Sequence, residues 1–116
     1  MSNYYLQAVI LENCPYSNAA TKLLKNNQSN THFTIINNTN KDNYKTKDID
    51  TFPQIYLKRY NKNGSLLIGG YTNLEELFNL FYKKNYSNEN ITNFIDNNNK
   101  WSRKPLLRFI NLINSI

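Results

Sequence analysis

The sequence contains very little cysteine, histidine, glycine or proline. Its 116 residues include one cysteine, one histidine, three glycines and three prolines. A single cysteine excludes an internal disulfide framework, and one cysteine with one histidine cannot complete a tetrahedral zinc site within one chain. We therefore expect a fold that is stabilised by its hydrophobic core, with no metal site.

Long apolar segments are also absent. No stretch approaches the roughly 18–20 apolar residues that a membrane-spanning helix needs, and the first residues lack the basic and apolar regions of a signal peptide. The lysines and arginines behind the net charge of +6 are scattered rather than clustered, and they form no alternating array with aromatic residues. We expect a cytoplasmic protein with no transmembrane segment and no nucleic-acid partner.

The hydrophobic content of 40% is sufficient for the core of one domain. In the first third of the chain, an apolar strand over Tyr4–Leu11 is followed by a helix over Pro15–Asn26 and a second strand over Thr31–Ile36. Because a helix lies between the two strands, we expect them to pair in parallel.

The middle of the chain predicts a loop, a β-hairpin and a helix. Residues 37–50 are polar and long enough for a loop with one short helix, and strands are predicted over Pro53–Arg59 and Ser65–Ile68. The Asn61–Gly64 cluster between these strands is typical of a hairpin turn, so they should be antiparallel. Apolar residues at helical spacing then predict a helix over Asn73–Phe81, with its first residue as the N-cap.

The last part of the chain, residues 85–116, differs in composition from residues 1–84. Asparagine dominates it as far as residue 100, with a small apolar patch that predicts a short helix. From Ser102 onward, apolar residues at helical spacing predict an amphipathic terminal helix, and Trp101 is expected to be a packing anchor. We divide the chain into a domain over 1–84 and a helical extension over 85–116 that packs on its core. The alternative is a contact with a partner or a membrane surface.

Cys14 is the first candidate for chemistry. It follows the first predicted strand and precedes Pro15, which suits the first helical position because it has no N–H to leave unpaired. The free N–H groups and the positive end of the helix dipole at such a corner favour a thiolate over a thiol. Because the thiolate is the form that attacks disulfides, Cys14 is predicted to be a nucleophile rather than a buried apolar residue.

Two further segments accompany Cys14. Pro53 stands at the start of a predicted strand, where a proline is tolerated. A cis bond before it would turn the backbone at Phe52 toward the thiol and offer hydrogen bonds to an extended peptide. Gly69 and Gly70 end the fourth strand, where paired glycines permit the close approach of a ligand backbone. The alternatives are an ordinary trans proline and a simple end to the strand.

Together these segments resemble the glutaredoxin family of the thioredoxin superfamily. The resemblance rests on three motifs, the first of which is Cys-Pro-Tyr-Ser at residues 14–17. The second is Thr-Phe-Pro at residues 51–53, which is similar to the family's Thr-Val-Pro. The third is Gly-Gly-Tyr-Thr-Asn at residues 69–73, which is similar to the family's Gly-Gly-x-Ser-Asp. The resemblance covers about Tyr4 to Phe81. It implies an α/β, thioredoxin-like fold with a four-stranded mixed sheet flanked by helices, to which the C-terminal helical segment is added.

The resemblance also implies an activity, which is glutathione-dependent thiol–disulfide exchange. Glutathione would be the co-substrate, glutathionylated proteins would be the partners, and Cys14 would be the catalytic nucleophile. A monomer is favoured, with a dimer as the alternative. The implied glutathione-binding residues are Tyr16 and Ser17 near the thiol, Phe52 and Pro53 at the cysteine unit, and Thr72 and Asn73 at the γ-glutamyl end.

The chain departs from the family pattern at three positions. Ser17 replaces the second cysteine, so an intramolecular disulfide is excluded and only a monothiol route remains. Leu11, followed by Glu12, stands where members usually carry a lysine for the glycyl carboxylate, and Asn73 replaces an aspartate. The candidates for a substitute cation are Lys41, Lys45 and Lys47.

Two other functions stay open at the level of the sequence. A redox-inert binding module with a thioredoxin fold is favoured by Leu11 and Glu12, because a carboxylate near the sulfur opposes its ionisation. A dimer could instead hold a 2Fe–2S cluster with one Cys14 from each copy and two glutathione thiolates. Members that bind such clusters usually have glycine after the cysteine, and Pro15 occupies that position here.

Overall fold

The fold is built on a four-stranded mixed sheet, in a computed structural model that describes residues 4–27, 29–83 and 86–114. The strands lie in the order β2-β1-β3-β4, with β1 parallel to β2 and antiparallel to β3, and with β3 antiparallel to β4. This arrangement confirms the predicted parallel pair and the predicted hairpin. The elements are β1 (Tyr4–Leu11), α1 (Pro15–Asn26), β2 (Thr31–Ile36), a 3₁₀ helix (Lys41–Tyr44), β3 (Gln54–Arg59), β4 (Ser65–Gly69), α2 (Tyr71–Phe81), α3 (Asn88–Asn97) and α4 (Arg103–Asn114).

The start of α2 differs from the prediction. The helix begins at Tyr71, two residues earlier than expected, and Gly70 rather than Asn73 occupies the N-cap. Glycine is accepted at this position, and the chain enters the helix directly from the end of β4. Asn73 still serves the helix start, because its Oδ1 accepts a hydrogen bond of 3.1 Å from the Gly70 N–H.

One face of the sheet carries the main hydrophobic core. Alternate residues of β1 point to this face, and they join the buried residues of the helices in one cluster. The opposite face is more polar: Gln54 is buried there, and its Nε2 donates 2.9 Å to the Tyr44 carbonyl at the end of the 3₁₀ helix. The core residues on the strands are Tyr4, Leu6, Ala8, Ile10, Ile55, Leu57 and Ile68.

The C-terminal helices α3 and α4 belong to the same hydrophobic core as the sheet. α4 packs against β1 and α3, and Trp101, just before α4, is buried as expected of a packing anchor. Two asparagine side chains tie α4 to the domain, since Asn27 donates 2.9 Å to the Ile113 carbonyl and Asn114 donates 3.0 Å to the Phe81 carbonyl. The buried residues of α4 are Leu106, Phe109, Ile110, Leu112 and Ile113.

The proposed boundary between residues 84 and 85 lies outside the described residues. Within the described ranges, no helix has the length and the apolar character that crossing a membrane requires.

The docking of α4 predicts that two alanine substitutions on this helix lower the free energy of unfolding by very different amounts. Phe109→Ala should lower the free energy of unfolding by about 3–5 kcal/mol, because the ring is 0% exposed and packs on Trp101 and Phe78. The matched control is Leu107→Ala on the same helix. Because the Leu107 side chain is 37% exposed, this substitution should lower the free energy of unfolding by less than about 1 kcal/mol. Urea denaturation measures both, and equally small losses would contradict the docking.

Candidate thiol site and its cleft

Cys14 occupies the N-cap of α1. Its backbone is extended, Pro15 begins the helix, and the Cys14 carbonyl accepts the first helical bond from Asn18 N at 2.9 Å. The side chain is partly exposed, and its thiol lies 3.8 Å from the Phe52 carbonyl oxygen, within the range of a weak S–H···O contact. The sulfur therefore stands at the helix start, outside the core, as the spacing predicted.

Pro53 follows a cis peptide bond from Phe52. The proline is buried, whereas Phe52 is partly exposed and presents its carbonyl to the sulfur. The cis alternative that the sequence left open is thus the observed one. Phe52 reaches solvent from this turn, and Pro53 lies beneath it.

Ser17 lies below the site rather than on it. Its side chain is fully buried, and its Oγ accepts a hydrogen bond of 3.1 Å from the Leu11 N–H. The predicted direct contact with glutathione is therefore not available in this conformation. Ser17 instead connects the first turn of α1 to the end of β1, because tertiary packing turns its hydroxyl inward.

Gly69 and Gly70, at the end of β4, border the site along with the start of α1 and the Phe52–Pro53 turn. Gly69 has φ +130°, in the range that side chains rarely adopt, and a Cβ placed there would lie 2.6 Å from Asn73 Cγ. A glycine is needed at this position both for its backbone angle and for the space that Asn73 occupies. Beyond it, the first-turn N–H groups of α2 lie at the helix end that attracts negative charge.

The start of α1, the turn before β3 and the start of α2 border an open cleft of about 520 Å³. Tyr16, Phe52, Thr72 and Asn73 all line it, so four of the six predicted glutathione-binding residues face one cavity. Tyr16 is 64% exposed and forms one side of the opening. Cys14 is not one of the residues that line the cleft, but Phe52 lines it and places its carbonyl oxygen 3.8 Å from the sulfur. The remaining lining residues are Asp48, Ile49, Thr51, Leu67, Gly69, Gly70, Tyr71 and Lys100.

Tyr71 is held by its own helix. Its phenol donates a hydrogen bond of 2.9 Å to Glu75 Oε2. This bond to a carboxylate stabilises the protonated phenol and raises the pKa of Tyr71, with burial as a smaller cause. Tyr71 therefore lines the cleft as a neutral ring.

Lys100 lines the cleft although no feature of the sequence pointed to it. Its ammonium Nζ donates 3.1 Å to the Ile68 carbonyl at the end of β4. The three lysines that the sequence offered as substitute cations do not line the cleft in the described structure. One of them, Lys45, lies 3.0 Å from Asp42 instead and lowers the pKa of that carboxyl through the hydrogen bond between them.

No group of three or more histidine, cysteine, aspartate or glutamate side chains in the described ranges could hold a metal ion.

The sheet and its flanking helices form a thioredoxin-like fold, with a cysteine at the start of the first helix and a cis-proline turn beside it. Among solved structures, the chain is similar to glutaredoxin 1 from Francisella tularensis, in a crystal structure of its complex with cacodylate. The TM-score is 0.50 at 22% identity, over 70% of this chain and 99% of that chain. No protein-family model and no curated protein matches the sequence.

Because a Cβ at Gly69 would clash with Asn73, an alanine substitution there should destabilise the protein more than one at Gly64. Gly69→Ala should destabilise the protein by about 3 kcal/mol or more, because strain of about 1–3 kcal/mol from the positive φ adds to the clash with Asn73. The matched control is Gly64→Ala, where φ is +96° and nothing lies within 4 Å, so that only the strain remains. Thermal and urea unfolding measure both variants. Equal costs would show that the contact with Asn73 does not constrain this turn.

Proposed function

We propose that this protein is a glutathione-dependent thiol–disulfide oxidoreductase that reduces glutathione mixed disulfides by a monothiol mechanism. The observation that carries the proposal is the position of the Cys14 sulfur, which is partly exposed and 3.8 Å from the Phe52 carbonyl at the edge of the cleft. An attacking thiol needs access to a disulfide and room for the departing group. The adjoining cleft of about 520 Å³ provides that room.

The proposed reaction has two exchange steps. In the first, the Cys14 thiolate attacks the glutathione sulfur of a mixed disulfide, a Cys14–glutathione disulfide forms, and the substrate thiolate leaves and takes a proton from water. In the second, the thiolate of a free glutathione attacks the glutathione sulfur bound to Cys14 and releases Cys14 together with glutathione disulfide. The substrate gains two electrons, and the glutathione pool supplies them. A reducing compartment such as the cytoplasm contains the free glutathione that the second step consumes.

The residues around the cleft supply groups suited to an extended tripeptide. The backbone at Phe52 offers hydrogen bonds of the kind that hold a peptide strand, and Tyr16 provides a flat apolar side. The first turn of α2 presents N–H donors at Thr72 and Asn73, where a carboxylate is favoured by the helix dipole. In the proposal these donors hold the γ-glutamyl end, and Pro53 and Ser17 support the backbone from below.

A redox-inert binding module is the second candidate, and one observation favours it. The Cys14 sulfur lies 3.8 Å from the Phe52 carbonyl oxygen, and a carbonyl oxygen has no proton to donate to a thiolate. Glu12, two residues before Cys14, is exposed and adds negative charge to this corner. In this alternative the cleft binds an anionic peptide and Cys14 remains a thiol throughout.

Replacement of the sulfur separates the two candidates. Cys14→Ser should abolish the reduction of a glutathionylated peptide, because no other thiol is present in the chain. Turnover is measured by coupling the release of glutathione disulfide to NADPH consumption through glutathione reductase. Mass spectrometry of the unaltered protein, incubated with glutathione disulfide, should show one glutathione on Cys14. Unchanged turnover in the variant, or an unaltered protein that forms no adduct, would reject the oxidoreductase.

A further inference from the structure

We propose that Lys100, a residue of the C-terminal extension, binds the α-carboxylate of the γ-glutamyl group in the cleft. This inference rests on the proposed function and names the residue that supplies the positive charge for its ligand. It concerns a position well outside the segments on which the glutaredoxin resemblance depends.

The location of Lys100 is the first step of the argument. Its side chain lines the cleft together with Gly69, Gly70, Thr72 and Asn73. The Nζ atom donates 3.1 Å to the carbonyl of Ile68, the residue immediately before Gly69. The ammonium group therefore lies at the end of β4, one residue before Gly69, in the cleft that Thr72 and Asn73 also line.

The charges of the cleft give the second step. Among the described lining residues, Lys100 is the cation and Asp48 is the anion. An ammonium group has three donors, and the Ile68 carbonyl accepts one of them, which leaves donors for a ligand. Partial burial lowers the pKa of Lys100, because removal from water disfavours its charged form. A bound carboxylate would compensate for that lost hydration with a charge-assisted hydrogen bond.

The packing of the extension gives the third step. Trp101 follows Lys100 directly and is 3% exposed, with ring contacts to Phe94 on α3 and Phe109 on α4. The backbone N–H of Trp101 also donates a hydrogen bond of 2.9 Å to the Asn98 carbonyl. The backbone beside Lys100 is thus ordered by the hydrophobic core before any ligand arrives. Ordering it in advance removes part of the entropic cost of binding.

The experiment compares charged and neutral disulfides on three single variants. Lys100→Met removes the charge and keeps an unbranched chain, and Lys100→Arg keeps the charge. Lys22→Met is the matched control, because Lys22 is exposed on α1 and does not line the cleft. The measured quantity is the second-order rate of adduct formation on Cys14, followed by mass spectrometry. The probes are glutathione disulfide and the uncharged hydroxyethyl disulfide.

Lys100→Met should react roughly two- to fivefold more slowly than the unaltered protein with glutathione disulfide, the size expected for one partly solvated charge pair. With hydroxyethyl disulfide the rates should be equal, since that probe has no carboxylate. Lys100→Arg should restore most of the rate, and Lys22→Met should change neither reaction by more than a small factor. Slowing of both probes by Lys100→Met, or equal slowing by Lys22→Met, would overturn the assignment.

Two shorter probes test which end of glutathione is bound. The slower adduct formation of Lys100→Met should persist with the disulfide of γ-glutamylcysteine. It should disappear with the disulfide of cysteinylglycine, which lacks the γ-glutamyl group. The reverse pattern would overturn the assignment to that end. The proposed function fails separately: an unaltered protein that forms no adduct with either glutathione disulfide or hydroxyethyl disulfide overturns both proposals. Normal reaction of Lys100→Met with glutathione disulfide overturns only the role of Lys100.

Discussion

The antiparallel pairing of β3 with both β1 and β4 is the constraint on which the site depends. Because β1 and β4 run in one direction and β3 in the other, the end of β1, the start of β3 and the end of β4 lie at the same edge of the sheet. The register pairs Val9 with Gln54 and Ile55 with Gly69. Cys14 therefore meets the Phe52 carbonyl although 38 residues separate them in the chain.

The backbone at the end of β4 adds a second requirement, which is local. The pairing of β3 and β4 is irregular between Ile55 and Tyr56, directly opposite the glycine end of β4. The positive φ of Gly69 changes the chain direction there, and α2 starts two residues later. Asn73 then closes its first turn onto the Gly70 N–H. The first turn of α2 thus lines the cleft because of backbone geometry, and the Asn73 side chain helps to keep that geometry in place.

The sequence predicted the strands and helices well wherever apolar spacing was clear, as at Tyr4–Leu11 and Pro15–Asn26, which coincide with β1 and α1. It was wrong about the start of α2, since the capping preference of Asn73 suggested a boundary that the turn at Gly70 moved. The inward orientation of Ser17 depends on tertiary packing, which a motif position does not reveal. Lys100 had no local signal at all, because its place in the cleft follows from the burial of Trp101.

The C-terminal extension therefore contributes to the site as well as to the core. A lysine on an unanchored segment would have to be ordered by its ligand, at a cost in backbone and side-chain entropy. Here the burial of Trp101 against Phe94 and Phe109 orders that segment during folding. The position of the Lys100 ammonium is consequently coupled to the stability of α4. A change that undocks α4 would remove a cation from the cleft and leave Cys14 and the Phe52–Pro53 turn chemically unaltered. Under the two proposals, ligand recognition and thiol chemistry would therefore depend on different parts of one core.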